Sequence, residues 1–335
     1  MLAPLSLPGV AKALSSMTGT RASIFMLHRF ASLQDGVEGH DPVRVRSILS
    51  QLRKQRLDLI SLQELFRRLR EGEPLAGAVA FTIDDGYFDH ASIAGPVFAE
   101  FDCPVTIFAV TGFLDGKDWL WWDKIQYVCE KTTQRQLKVA VGTVQRVYEL
   151  DTMPSRLRAA ADINCWCQDL SHSDRTACLT RMWLDADVEL PATPPRRFAP
   201  MTWDDARQIE RRGITIGPHT VTHPVLSSTS DEQAKFEISE SWRRLCEEVA
   251  SPVPIFCYPH GRQRDFGTRE MTEVHRIGLW GAVRGYPGRF RPDDFREAPA
   301  ICAVPRFPFS DILIDILQCV SGVESIKGRL RGSWS

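Results

Sequence analysis

Short apolar runs rich in β-branched and aromatic residues alternate with helix-like stretches along most of this chain, and that alternation narrows its possible folds more than any other feature. The runs cover 23–27, 78–83, 105–110, 214–216, 255–258 and 279–283. Continuous apolar segments of this length read as strands buried on both faces. Between them, 42–54 follows Asp41 as a cap with proline at the first helical position. Segment 61–70 opens on Ser61 and Glu64, a capping box. A third helix starts at Thr202 and Asp205 and stops at Gly213, and 231–249 and 268–277 complete the set. Strand and helix in alternation predict an α/β fold with a largely parallel sheet or barrel.

The rhythm breaks in the middle. Segments 137–141 and 144–150 flank Gly142 and Thr143 as a hairpin, followed by helices near 154–170 and 174–184. A proline-rich linker, 191–197, closes the stretch. Residues 129–199 therefore read as an inserted α+β segment in a barrel formed by 22–128 and 200–310, with 1–21 and 311–335 as terminal extensions. A length of 335 residues suits a large α/β unit carrying such an insertion. With 41 basic and 42 acidic side chains, the chain lacks the basic excess of a nucleic-acid binder. No stretch is long and apolar enough for a transmembrane helix. Nine cysteines, an odd and unpatterned set, favour a reducing compartment, and the proline-interrupted start does not read as a signal peptide. Together these place the protein in the cytoplasm.

Two clusters at strand ends can do chemistry. Thr82-Ile83-Asp84-Asp85-Gly86 closes the second run, and the carboxyl ends of strands are where α/β folds collect reactive groups. Adjacent carboxylates repel, so each needs its own partner to stay charged. One can bind a metal while the other takes a proton from water. The same residues also suit a plain surface turn. His219-Thr220-Val221-Thr222-His223 follows the 214–216 run. Two imidazoles four residues apart can converge on one cation, and two histidines with one carboxylate leave positions open for water and substrate. Loop histidines bonded to backbone would show the same spacing. His28 follows the first run and, taken alone, reads as a structural histidine sooner than a catalytic one.

Together these residues resemble the polysaccharide deacetylase family, the NodB-like carbohydrate esterases. Thr82–Gly86 is similar to its Thr-Phe-Asp-Asp-Gly motif, with Ile83 for phenylalanine, and 219–223 to its His-Ser/Thr-x-x-His motif. Segments 26–29, 61–65, 121–123 and 256–261 look like those of the branch that deacetylates exopolysaccharide precursors. The resemblance implies a distorted (β/α) barrel of the NodB type. It makes Asp84 the general base and Asp85, His219 and His223 the ligands of one divalent ion, zinc in the first place, with cobalt, nickel or manganese as alternatives. The implied reaction is hydrolysis of an N-acetyl group from an amino sugar in an oligosaccharide, glycan or glycan precursor, by metal-activated water.

The chain departs from the family in two places. The third motif, Arg-x-Pro-Tyr, reads Cys257-Tyr258-Pro259-His260, and the late Leu-x-x-His motif is absent. Arg306 is the replacement for the lost arginine, and Tyr258, Pro259, Arg306 and Trp122 form the expected substrate contacts. His28 is expected to be the general acid, as in the branch whose motifs are circularly permuted, with His260 as its competitor. A metal-dependent amidase on a non-sugar C–N bond, a catalytically weakened sugar-binding protein, and an interaction role for the insertion are the alternatives.

Overall fold

The computed structural model describes residues 5, 7–17, 22–288, 290, 292–295 and 300–322. Its strands in chain order are β1 (Ser23–Leu27), β2 (Asp58–Leu59), β3 (Ala78–Asp85), β4 (Val105–Ala109), β5 (Gln136–Val141), β6 (Val144–Glu149), β7 (Thr215–Pro218), β8 (Ile255–Cys257), β9 (Gly281–Arg284), β10 (Val304–Pro305) and β11 (Phe307–Pro308). One parallel sheet runs β11-β1-β3-β4-β7, with β2 paired to the start of β3, and a second runs β10-β9-β8. Every residue of β3 and β4 is buried, as expected for parallel strands covered on both faces.

The two sheets complete a distorted (β/α) barrel. On one side the Val253 amide donates to the Ile216 carbonyl at 2.7 Å, tying the approach to β8 onto β7. On the other, β10 and β11 are separated by Arg306 alone, so one interrupted strand serves both sheets. Helices Pro42–Lys54 and Leu62–Glu71 sit outside: Asp41 accepts from the Val43 amide as expected, while Ser61 accepts from that of Glu64 but the expected capping box is only half formed, because the Glu64 carboxylate is taken by Arg67 and Arg68.

The insertion contains the antiparallel β5–β6 hairpin and helices Met153–Gln168 and His172–Asp185. Its apolar cluster includes Trp121, Ile125, Val128 and Cys129, so the boundary expected after residue 128 falls within a continuous helix, Trp121–Lys131. That helix joins the barrel mouth to the insertion. The expected terminal extensions are described only in part, the rest lying outside the described residues. Helices Val10–Met17 and Leu313–Ser321 pack together, and Ala11, Ile316, Leu317 and Val320 enter the main core. These segments are part of the barrel's wall rather than appendages. Among the described residues, no helix is long and apolar enough to cross a membrane.

Candidate active site

The reactive side chains gather where β1, β3, β7 and β8 end. His28 follows β1, Asp84 and Asp85 end β3, His219 follows β7, and Tyr258 to His260 follow β8. Successive residues on a strand point to opposite faces. Asp85 escapes that rule through a left-handed backbone (φ 89°), and both carboxylates are buried. Thr220 (φ 67°), His223 (φ 55°) and His260 (φ 59°) are likewise left-handed. Such strain persists only where surrounding structure enforces it.

The histidine loop shows how that is done. The amides of Thr111 and Gly112 donate to the carbonyls of Thr220 and Val221 at 3.1 and 3.0 Å. A Cβ on Gly112 would meet the Val221 oxygen at 2.6 Å, so only glycine permits this approach. From the other side, buried Glu237 accepts from the amides of Val221 (2.8 Å) and Thr222 (2.9 Å) and from the Thr222 hydroxyl (2.6 Å). The loop is clamped between a strand end and a helix.

Asp85, His219 and His223 bring one ligand atom each within 4.8 Å of one another. The Nε2 atoms of His219 and His223 lie 3.7 and 3.5 Å from Asp85 Oδ1. His219 Nδ1 is 2.8 Å from the Cys257 carbonyl, which can only accept, so the proton sits on Nδ1 and the Nε2 lone pair faces the site. Burial lowers His219 to about 4, against the opposing pull of Asp84, and takes His223 well below the usual histidine value. Both rings are therefore neutral, as metal ligation requires. Burial, reinforced by Asp84 and Asp123, raises Asp85 well above the ordinary carboxylate range. A buried carboxylate facing two neutral imidazoles with converging lone pairs is short of one cation. The donor set fits a small divalent ion.

Asp84 sits in a different environment. Arg306 donates from Nη1 to Oδ1 and from Nη2 to Oδ2, each at 2.7 Å. Arg306 also donates to Thr82 Oγ1 at 2.9 Å and approaches Cys257 Sγ at 3.1 Å. Burial pushes Asp84 upward, but the Arg306 charge and hydrogen bonds outweigh it and hold the carboxyl below its usual range. Arg306, expected among the substrate contacts, is instead fully buried behind Asp84 and lines no part of the cavity. The break between β10 and β11 puts it there. Cys257, in the frame of the family's arginine, is pushed well up by burial and stays a thiol.

A cavity of about 790 Å³ opens over these groups, lined by His28, Asp84, Asp85, His219, His223 and His260 among others. Trp122 also lines it and sits edge-on to His223 at 4.6 Å between ring centres. Tyr258 reaches the cavity, yet its ring stacks on Phe266 at 3.8 Å in the apolar cluster beyond. Pro259 is buried and does not line the cavity. His28 is the most exposed of the group; the protein around it lowers its pKa, with Asp84 opposing. His260 is held to about 3 by burial and then by Arg175 and Arg262, and its backbone amide finds no acceptor among the described residues.

The sequence reading missed Tyr87 and Asp123. Trp122 Nε1 donates to Tyr87 Oη at 2.9 Å, and Tyr87 donates to Asp123 Oδ2 at 2.8 Å. Burial raises Asp123 to about 7, against the Tyr87 hydrogen bond. The signal was a carboxylate directly after paired tryptophans at the start of a helix.

A family model described as Polysaccharide deacetylase matches residues 175–275, a segment that holds His219, His223 and His260 and leaves Asp84 and Asp85 outside it. No curated protein matches the sequence. Among solved structures, the chain is similar to the Streptococcus pyogenes deacetylase PplD in complex with acetate (14% identity, 90% of this chain and 99% of that one, TM-score 0.58). It is similar to IcaB from Ammonifex degensii (14%, 90% and 98%, TM-score 0.57) and to a de-N-acetylase from Aggregatibacter actinomycetemcomitans (13%, 89% and 99%, TM-score 0.54). At these identities the likeness is one of fold. The chain thus shares the fold of these deacetylases, and its segment 175–275 matches the Polysaccharide deacetylase family model.

Proposed function

We propose that the protein is a metal-dependent carbohydrate N-deacetylase that hydrolyses the N-acetyl group of an amino sugar in a glycan or glycan precursor. The observation that carries this reading is the pairing of Asp85, His219 and His223 around one point with Asp84 clamped beside them by Arg306. Mixed imidazole and carboxylate donors suit zinc, with cobalt, nickel and manganese as substitutes. When bound, the ion supplies Lewis acidity that polarises the acetamide carbonyl and acidifies water.

The chain's own groups do the rest. Asp84, ionised throughout the working range, accepts the proton of the attacking water. The unpartnered amide of His260 is available to the oxyanion that forms on the carbonyl oxygen. An amide nitrogen leaves poorly unless protonated. His28, accessible within the cavity, delivers that proton, whereas His260 is too acidic to carry one. A cytoplasmic location agrees with the buried thiols of Cys103, Cys129, Cys167, Cys178, Cys257 and Cys302, none in a disulfide. The intact Arg306–Asp84 clamp speaks against a weakened binding relative.

The test is acetate release from N-acetylated sugars, oligosaccharides and polymers with added zinc, cobalt, nickel or manganese. Wild type releases acetate, and Asp84→Asn loses at least ~10³-fold in kcat while metal analysis finds the same stoichiometry. A near-normal rate in that variant removes Asp84 as base. Bound metal without release from any sugar turns the reading toward a non-sugar amidase.

A further inference from the structure

The cavity extends well past the reactive groups, and its far wall belongs to the insertion. Met153, Leu157, Asn164 and Gln168 line it from the helix Met153–Gln168. Spacings of four, seven and four residues put them on one face of that helix. The adjoining stripe of Ala160, Ile163 and Cys167 is buried in the insertion's own core, so the helix is anchored on one side and open to the cavity on the other. Met153 and Leu157 are 52% and 41% exposed there. Next to them, the Asn164 amide oxygen is buried with no hydrogen-bond partner, a costly state that a bound ligand relieves. Gln126 and Glu130 of the helix Trp121–Lys131 and Gly36, Val37 and Glu38 form the sides.

The charge of this space selects its occupant. Each arginine that lines it has a carboxylate partner: Arg29 with Asp89 (3.0 Å), Arg262 with Asp265 (3.0 Å) and Arg197 with Glu130. Among the described residues that line the cavity, no arginine is left without a carboxylate to hold a diphosphate; Arg175, which has no carboxylate partner, is buried and does not line it. Apolar surface beside carboxamides suits neutral pyranose rings bearing hydroxyl and acetamido groups, and about 790 Å³ is more room than a single acetamide at the metal end requires.

We propose that the face of helix Met153–Gln168, with Leu157 and Asn164 at its centre, is a subsite for the sugar residues flanking the one that reacts. The insertion thereby selects N-acetylated glycans over free N-acetyl monosaccharides and nucleotide sugars. This rests on the deacetylase reading for what occupies the metal end, but the subsite is measured by binding. Asp84→Asn protein with zinc is titrated calorimetrically with N-acetylglucosamine and with its β-1,4- and β-1,6-linked pentamers. At least one pentamer binds tenfold or more tightly than the monosaccharide. Adding Asn164→Leu, or separately Leu157→Trp to fill the cavity, brings that ratio down toward one, in proteins whose thermal midpoint matches the parent. A ratio that neither folded variant moves, or a pentamer that binds no better than the monosaccharide, overturns the subsite. Pentamer binding without acetate release by the wild type keeps the subsite and overturns the deacetylase reading. Equal kcat/KM on monosaccharide and pentamer, unmoved by either variant, keeps the activity and overturns the subsite.

Discussion

Asp84 and Asp85 are chemically identical neighbours driven in opposite directions by what lies behind them. Asp84 has a bidentate guanidinium; Asp85 has two neutral imidazoles and two carboxylates. Motif spacing made both residues and both histidines legible in the sequence. Arg306 was legible only as a substitute, because its position depends on a strand break far along the chain, and its placement among substrate contacts was wrong for that reason. In the proposed mechanism it positions the base. Arg306→Lys keeps a charge but loses the two-pronged geometry, so kcat falls by ~10²-fold while KM and metal stoichiometry hold; an effect confined to KM would instead mark a substrate contact. Arg306→Met leaves a buried carboxylate unpaired, at a cost of about 3–5 kcal/mol at neutral pH. The sign with pH follows from linkage. Asp84's lowered pKa contributes stability above the unfolded value near ~4 and loses it as pH falls, whereas the unpaired carboxylate of the variant is relieved by protonation. Urea titrations at pH 7 and pH 3.5 therefore show the gap between the two proteins narrowing on acidification. A gap that is constant or widens rules the pairing out as its source.

Elements were legible where periodicity had length to work with. Helix Pro42–Lys54 and strand β1 have the bounds their capping and apolar runs predict. β2, β10 and β11 span two residues each, too short for any alternation to register, and they exist because neighbouring strands supply partners. The sequence pattern predicts a helix over 231–249 and nothing more; the buried face of Asp231–Glu248 carries Glu237 among Ala234, Ile238, Ser241 and Leu245. An acidic residue on an apolar face is a readable anomaly, and its explanation is the histidine loop it holds by three hydrogen bonds. Glu237→Ala orphans the buried Val221 amide and frees the loop. Supports of this kind behind metal ligands are worth roughly 10–100-fold in metal affinity. Competition with a chelator is the measurement, and unchanged zinc affinity in folded Glu237→Ala protein would remove the helix from the site's support.

At the scale of the whole molecule, the barrel closes through segments that a motif reading treats as peripheral. The interrupted strand β10–β11 links the two sheets and delivers Arg306 to Asp84, and the chain then turns into the helix Leu313–Ser321. That helix buries Ile316, Leu317 and Val320 in the main core and packs on Val10–Met17. This coupling is not legible in the sequence, because terminal helices with ordinary amphipathic patterning carry no signal of what they cover. The insertion differs: its core is its own, reaching the barrel through the helix Trp121–Lys131. Fully burying each of three aliphatic side chains contributes ~1.5–3 kcal/mol, so the C-terminal helix accounts for a large part of a net stability of about 5–15 kcal/mol. Ending the chain after Ser310 should therefore lower the thermal midpoint by ten degrees or more, or abolish soluble expression. The triple replacement of Ile316, Leu317 and Val320 by alanine, with the helix retained, should reproduce most of that loss. If the truncated protein melts with the full-length chain, the helix is an appendage and barrel closure through β11 stands without it.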